Sequence, residues 1–135
     1  MEDRIRASFA QQSLMQTFGA RLADLAPGRV VLEAPISVGA RQQHGAGHAG
    51  LTFALADTAA GYAALTLMPE GREVMTVEAK INLLAPCLGD RLIARGEVAR
   101  AGRRLTVCRA EVFALRGDDE TCIALMQATM IPVDP

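Results

Sequence analysis

One ionisable side chain stands by itself in the sequence. Between Arg41 and Glu70 the only formally charged residue is Asp57, set in the apolar stretch from Leu51 to Met68. A carboxylate in such surroundings is costly unless it is paired or used. No Lys or Arg lies within one helical turn of it in sequence. Burial there would disfavour the charged form and raise the pKa, which suits a general base or a nucleophile near neutral pH. The plain alternative is a carboxylate that hydrogen-bonds a neighbouring backbone group or Thr58 and does nothing more.

The residues just before Asp57 offer complementary chemistry. Gly39–Gly47, GARQQHGAG, reads as a polar, flexible loop. A helix is predicted to begin at His48 or Ala49 and to run to Leu67, with Pro69 and Gly71 marking its end. The first N–H groups of a helix lack intrahelical acceptors and sit at the positive end of its dipole. Small residues at Ala49 and Gly50 would let a carbonyl oxygen come close, as in an oxyanion hole built from backbone. An ordinary helix start has the same composition. Ala49 and Asp57 are separated by eight positions, or about 12 Å along one helix, too far to hold the same carbonyl group. If both act on one substrate, they come from two chains whose helices run antiparallel across a two-fold axis.

The elements that must position these groups follow from pattern. Glu2–Gln12, with Ile5 and Phe9 four apart, reads as a short helix. Gln16–Ala26 and Arg29–Ile36 read as strands joined at Pro27-Gly28. Met75–Leu83 alternates, with Met75, Val77, Ala79, Ile81 and Leu83 on one face and Thr76, Glu78, Lys80 and Asn82 on the other. Asp90–Arg100, Leu105–Leu115 and Cys122–Ile131 are further strands separated by short turns, which imply antiparallel pairing. The second has Thr106, Cys108, Ala110, Val112 and Ala114 on one face; the third has Cys122, Ala124, Met126, Ala128 and Met130 on one face. A hairpin, one long buried helix and a meander make an α+β layer arrangement. The helix is apolar nearly all round and rich in Ala and Gly, so other elements can approach it closely.

The totals bound the rest. The 135 residues suffice for one domain spanning 1–135. Aromatic residues make up 4% with no Trp, which argues against a base-stacking surface. The net charge of -1 gives no bulk attraction for nucleic acid. The opening residues, MEDRIRASFAQQ, lack the apolar run of a signal peptide. Asp57 and the threonines interrupt Leu51–Met68 too often for a membrane span. The three cysteines, Cys87, Cys108 and Cys122, form no C-x-x-C pair and read as reduced, mostly buried thiols of a cytoplasmic protein. His44 and His48, four apart, lack a third ligand, so no metal is expected.

Gln42–Asp57, QQHGAGHAGLTFALAD, resembles the helix-entry motif of hotdog-fold acyl-CoA thioesterases, most closely the phenylacetate-degradation group, with the 4-hydroxybenzoyl-CoA thioesterases as relatives. The likeness continues through DTAAGYAA (Asp57–Ala64), MTVEAKINLLAP (Met75–Pro86) and ARAGRRLTVCRAEV (Ala99–Val112), nearly the whole chain in order. It implies an antiparallel sheet of five to six strands wrapped around one long central helix, and hydrolysis of an acyl-CoA to free acid and coenzyme A. No cofactor is implied beyond the coenzyme A of the substrate.

The resemblance also assigns roles. Asp57 would be nucleophile or general base, and the Ala49 N–H, with Gly50, the oxyanion donor. Gln42 would orient water or the carbonyl, and Thr76 would assist the carboxylate. Members usually read His-Gly-Gly where this chain has His48-Ala49-Gly50, and Gly61 replaces the Thr that some relatives carry one turn after the carboxylate. The second departure points away from the 4-hydroxybenzoyl branch. His48, Asn82 and the turn arginines Arg100, Arg103 and Arg104 are candidate substrate contacts, the arginines for coenzyme A phosphates; His48 can equally brace the loop. Leu51, Phe53, Tyr62 and Met68 are candidates for shaping the acyl pocket. The family association is a homodimer, with a homotetramer a further expectation. The alternative is a hotdog protein that binds an acyl-CoA or aromatic ligand without hydrolysing it. A dehydratase on this fold is disfavoured, because the His-Phe-Pro motif is missing.

Overall fold

A computed structural model describes residues 1–135. Two short helices, α1 (Glu2–Ala10) and α2 (Ser13–Thr17), lead into the hairpin β1 (Arg21–Ala26) and β2 (Arg29–Pro35). The long helix α3 (Ala49–Leu65) follows, and then β3 (Glu73–Leu83), β4 (Arg91–Ala101), β5 (Thr106–Arg116) and β6 (Asp119–Val133). The strands form one six-stranded sheet in the order β1-β2-β4-β5-β6-β3. Every neighbouring pair is antiparallel.

The predicted elements are present, and two differences bear on the site. Gln16–Ala26 is not one strand: Ser13–Thr17 makes a helical turn that buries Met15, and β1 starts only at Arg21. The alternation of Met75–Leu83 is also broken. In the β3–β6 ladder Thr76 pairs with Met130 and Glu78 with Thr129, which leaves Val77 as an extra residue. Such a bulge reverses the phase of a strand. Val74 and Thr76 are half-buried on one side of it, Ala79 and Ile81 on the other, while Met75 and Val77 are 57% and 55% exposed.

The helix lies against β2, β3, β4, β5 and β6. Ala56, Ala59, Ala60, Ala63 and Ala64 are fully buried, so little more than a methyl group separates it from the sheet. Contact is tightest at Gly96 of β4, where a Cβ atom would fall 2.4 Å from the carbonyl carbon of Ala59 and 2.5 Å from its oxygen. Only glycine permits that approach. The far end of α3 is fixed by polar contacts. The Arg4 guanidinium donates to Leu65 O at 2.9 Å and Pro69 O at 3.1 Å, which satisfies exposed carbonyls and opposes the negative end of the helix dipole. Thr66 Oγ1 donates to Ala63 O at 2.6 Å and accepts the Gly28 N–H at 2.7 Å, joining the helix end to the β1–β2 turn.

Gly96→Ala is therefore expected to destabilise the fold by at least about 1–3 kcal/mol, the range for overpacking against backbone that cannot give. A lowered urea midpoint with an unchanged m-value would show it.

Candidate active site

Helix α3 is not covered on every side. Gly50, Phe53, Ala54, Asp57 and Thr58 are exposed or half-exposed, while nearly all the residues between them are buried. Spacings of three and four place these residues on one stripe. Asp57 lies on that stripe and is half-buried, so the full burial expected from the apolar sequence around it does not occur. It opens on a cleft of about 320 Å3 that Thr76, Glu73, Tyr62, Gln12 and Ser8 help to line.

The bulge at Val77 supplies the partner of Asp57. An unbroken strand would keep Thr76 on the face of Glu78, Lys80 and Asn82. With the phase reversed, Thr76 Oγ1 donates to Asp57 Oδ1 at 2.7 Å and lies 3.2 Å from Met130 Sδ. This hydrogen bond fixes the carboxylate on its helix at the edge of the cleft that Asp57 lines.

The start of α3 forms a second cleft, of about 470 Å3, lined among others by Gln42, Ala49, Thr52, Leu84 and Cys87. His48 is the N-cap residue, and its Nδ1 accepts the Gly50 N–H at 2.7 Å. The Gly50 N–H is thus engaged within its own chain, which leaves it unavailable as the second donor, and His48 makes the kind of bracing contact that the sequence reading offered for it. Gly50 is small for that cap: a Cβ there would stand 2.9 Å from His48 Nδ1. The Ala49 N–H, first in the helix, has no intrahelical acceptor and enters no turn or loop hydrogen bond. Gln42 Oε1 accepts the His44 N–H and braces the loop beside it. Burial pushes the Cys87 thiol up, against the opposing pull of the Thr52 side chain, the Gly47 backbone and the Arg41 charge. Burial likewise raises Cys108 to about 11, so neither is poised as a thiolate.

The structure brings Gln42 to Ala49 and Thr76 to Asp57, but it does not bring the two pairs together. Asn82 joins neither pair; it lies with Glu78 and Lys80 in a groove on the outer face of the sheet. Arg100, Arg103 and Arg104 gather around a shallow groove at the β4–β5 turn. Thr106 of β5 pairs with Met130 of β6, which pairs with Thr76 of β3. The arginine turn and Thr76 therefore share one end of the sheet; Thr106, just after the turn, is two interstrand spacings or about 10 Å from Thr76. Of the proposed acyl contacts, Tyr62 lines the Asp57 cleft, Leu51 is in the core, Met68 packs against it and Phe53 is exposed. Ser8, Gln12 and Glu73 were not foreseen. No group of three or more His, Cys, Asp or Glu side chains converges in the manner of a metal site.

Six antiparallel strands curled around one helix, with clefts at the helix start and beside its mid-length carboxylate, are the hotdog arrangement. The thioesterase superfamily model matches residues 44–121. A solved thioesterase family protein from Silicibacter pomeroyi is 45% identical, with 99% of this chain and 98% of that chain covered at a TM-score of 0.97. A variant of the phenylacetic acid degradation protein PaaI from Thermus thermophilus is 25% identical, covering 89% of this chain and 98% of that one, at a TM-score of 0.77. A candidate esterase of Saccharolobus solfataricus is 30% identical over 116 residues, 82% of this chain and 81% of its own. This chain belongs to the thioesterase superfamily, and its activity class is thioester hydrolysis.

Thr76 holds the Asp57 carboxylate in this geometry. Thr76→Val should lower kcat about tenfold or more, the worth of one hydrogen bond to a charged group, while Thr76→Ser restores it. Steady-state kinetics on a thioester that the wild type cleaves would test this.

Proposed function

We propose that the protein hydrolyses acyl-CoA thioesters in a site shared by two chains. Asp57 of one chain attacks the thioester carbonyl or activates the water that does. The Ala49 N–H of the other chain holds the oxygen that becomes negative in the tetrahedral state. Gln42, which lines the same cleft as Ala49, orients water or the carbonyl. Coenzyme A leaves as a thiolate, so no dedicated general acid is needed. The nucleotide end of the substrate runs toward Arg100, Arg103 and Arg104, whose guanidinium groups suit phosphate.

The observation that carries this reading is the division of the chemistry along α3. A carboxylate held by Thr76 and an unengaged helix N–H lie in separate clefts, about 12 Å apart on one helix. Each is half of a hydrolytic site. The surfaces between them support pairing. Strand β3 has a neighbour only on its β6 side, and its free edge carries the exposed Met75 and Val77. Beside it runs the open stripe of α3 with Phe53 and Ala54. Two-fold pairing of β3 edges would cover both, remove an exposed strand edge and run the helices antiparallel.

Complementation tests the shared site directly. Asp57→Asn should lower turnover of an acyl-CoA by about 10²–10⁴-fold. Ala49→Pro removes one N–H at the first helical position, where proline is tolerated and where the extended His48 suits a following proline. It should cost about 10²–10³-fold. Co-expressed, the two variants form mixed dimers in which one site has both groups intact and the other has neither, so activity returns. A site built within one chain would give no recovery. Separately, Arg103→Ala with Arg104→Ala should raise KM for acyl-CoA with little change in kcat, and should leave hydrolysis of a short thioester lacking the nucleotide unaltered.

A further inference from the structure

Alanine is the most favourable residue in the interior of a helix, and glycine among the least. Gly61 nonetheless stands in the interior of α3, flanked by Ala59, Ala60, Ala63 and Ala64. The glycines at positions 96 and 50 are explained by crowding, since a Cβ atom would meet the Ala59 peptide at the first and His48 at the second. Gly61 is not crowded. Setting aside its chain neighbours and the helix backbone, a Cβ atom there would have one contact within 4 Å, Val74 Cγ1 at 4.0 Å. Nor is Gly61 among the glycines with positive φ. Packing and backbone would both accept alanine, which would also strengthen the helix.

What the missing side chain leaves is room in the Asp57 cleft. Gly61 lines that cleft of about 320 Å3 together with Asp57, Thr58, Leu65 and Val74. It follows Asp57 by four residues, so the two are neighbours on one face, with about 5–6 Å between their Cβ positions. The exposed stripe of α3 would continue at Gly61, but Gly61 is buried because α1 is tied to the helix there. Arg4 donates to Leu65 O, and the Tyr62 hydroxyl is held by Ser8 Oγ at 3.0 Å and Gln12 Nε2 at 2.8 Å. The Phe9 ring meets Tyr62 edge-on with 6.1 Å between centroids. With its walls held in this way, the cleft keeps the room that Gly61 leaves.

We infer that Gly61 sets the acyl range of the site by admitting groups branched at the second or third carbon, which rests on Asp57 acting at the thioester carbonyl as proposed above. An attack distance of about 3–3.5 Å takes up more than half of the spacing between Asp57 and the opening. The remainder is spanned by about one or two carbon–carbon bonds. The opening therefore lies beside the carbons next to the carbonyl. A linear chain carries only hydrogens there, and a branched one carries a methyl group. The side chain of an alanine at position 61 would compete for the same space.

The test compares three isomers, hexanoyl-CoA, 2-methylpentanoyl-CoA and 3-methylpentanoyl-CoA, on the wild type and on Gly61→Ala. Differences in intrinsic reactivity cancel when the branched-to-linear ratio of kcat/KM is compared between the two proteins. Gly61→Ala should lower that ratio by about tenfold or more for at least one branched isomer, the effect of one methyl group in a pocket. Hexanoyl-CoA should be nearly unaffected, and the urea midpoint should stay at or above that of the wild type. A lowered midpoint would overturn the inference by showing that the fold itself needs the glycine. So would an unaltered ratio, or an equal loss on all three substrates, as expected if the opening holds the attacking water. Any of these results, with turnover still abolished in Asp57→Asn, would overturn the acyl selection alone. Turnover that persists in Asp57→Asn, or no turnover of any of the three by the wild type, would overturn the catalytic reading and the acyl selection with it.

Discussion

The depth at which α3 sits on the sheet governs everything else in this molecule. That depth is set by a backbone-to-backbone contact, Gly96 of β4 against the peptide of Ala59. With no side chain between them, the helix sinks until its alanine face meets the strands, and the sheet can close around it on five of its six strands. A helix held farther out would carry Asp57 away from β3. The hydrogen bond from Thr76, made over 2.7 Å, tolerates no such displacement.

On this scaffold two local irregularities do the fine positioning. The extra residue at Val77 turns Thr76 inward while Ala79 and Ile81 stay with the core. The cap formed by His48 uses up the Gly50 N–H and leaves that of Ala49 free. One irregularity aims a carboxylate and the other singles out a donor. Neither adds appreciable hydrophobic burial: the cap depends on a small neighbour, the glycine at position 50, and the bulge leaves its extra residue exposed to solvent.

Much of this was legible in the sequence, for identifiable reasons. Asp57 announces itself as the one charge in a long uncharged stretch, and the helix that bears it is bounded by a loop of small residues and by Pro69 and Gly71. The alternation in β5 survives folding because nothing interrupts the register of its central residues with β4. The bulge was invisible because an inserted residue leaves no mark in composition; Met75–Leu83 alternates perfectly on paper and is out of phase with itself in space. The place of Asn82 apart from both clefts was not legible either, since a polar face of a strand looks toward a cleft or away from it with the same composition. Ser8 and Gln12 were missed because their partner Tyr62 is 54 and 50 positions distant, and no local pattern connects them.

The wall of the Asp57 cleft has a different origin from the rest of the site. Asp57, Thr76 and the helix start belong to elements tied into the sheet, where a change is felt throughout the core. Ser8 and Gln12 belong to α1 and the residues that follow it, outside the sheet, joined to α3 chiefly through Arg4, the buried Ile5 and the phenol of Tyr62. Substitutions on that outlying helix would therefore reshape the rim of the cleft while leaving the Thr76–Asp57 contact and the helix start in place. The lining of the cleft and the placement of its carboxylate rest on different parts of the fold, so sequence change can reach one without passing through the other.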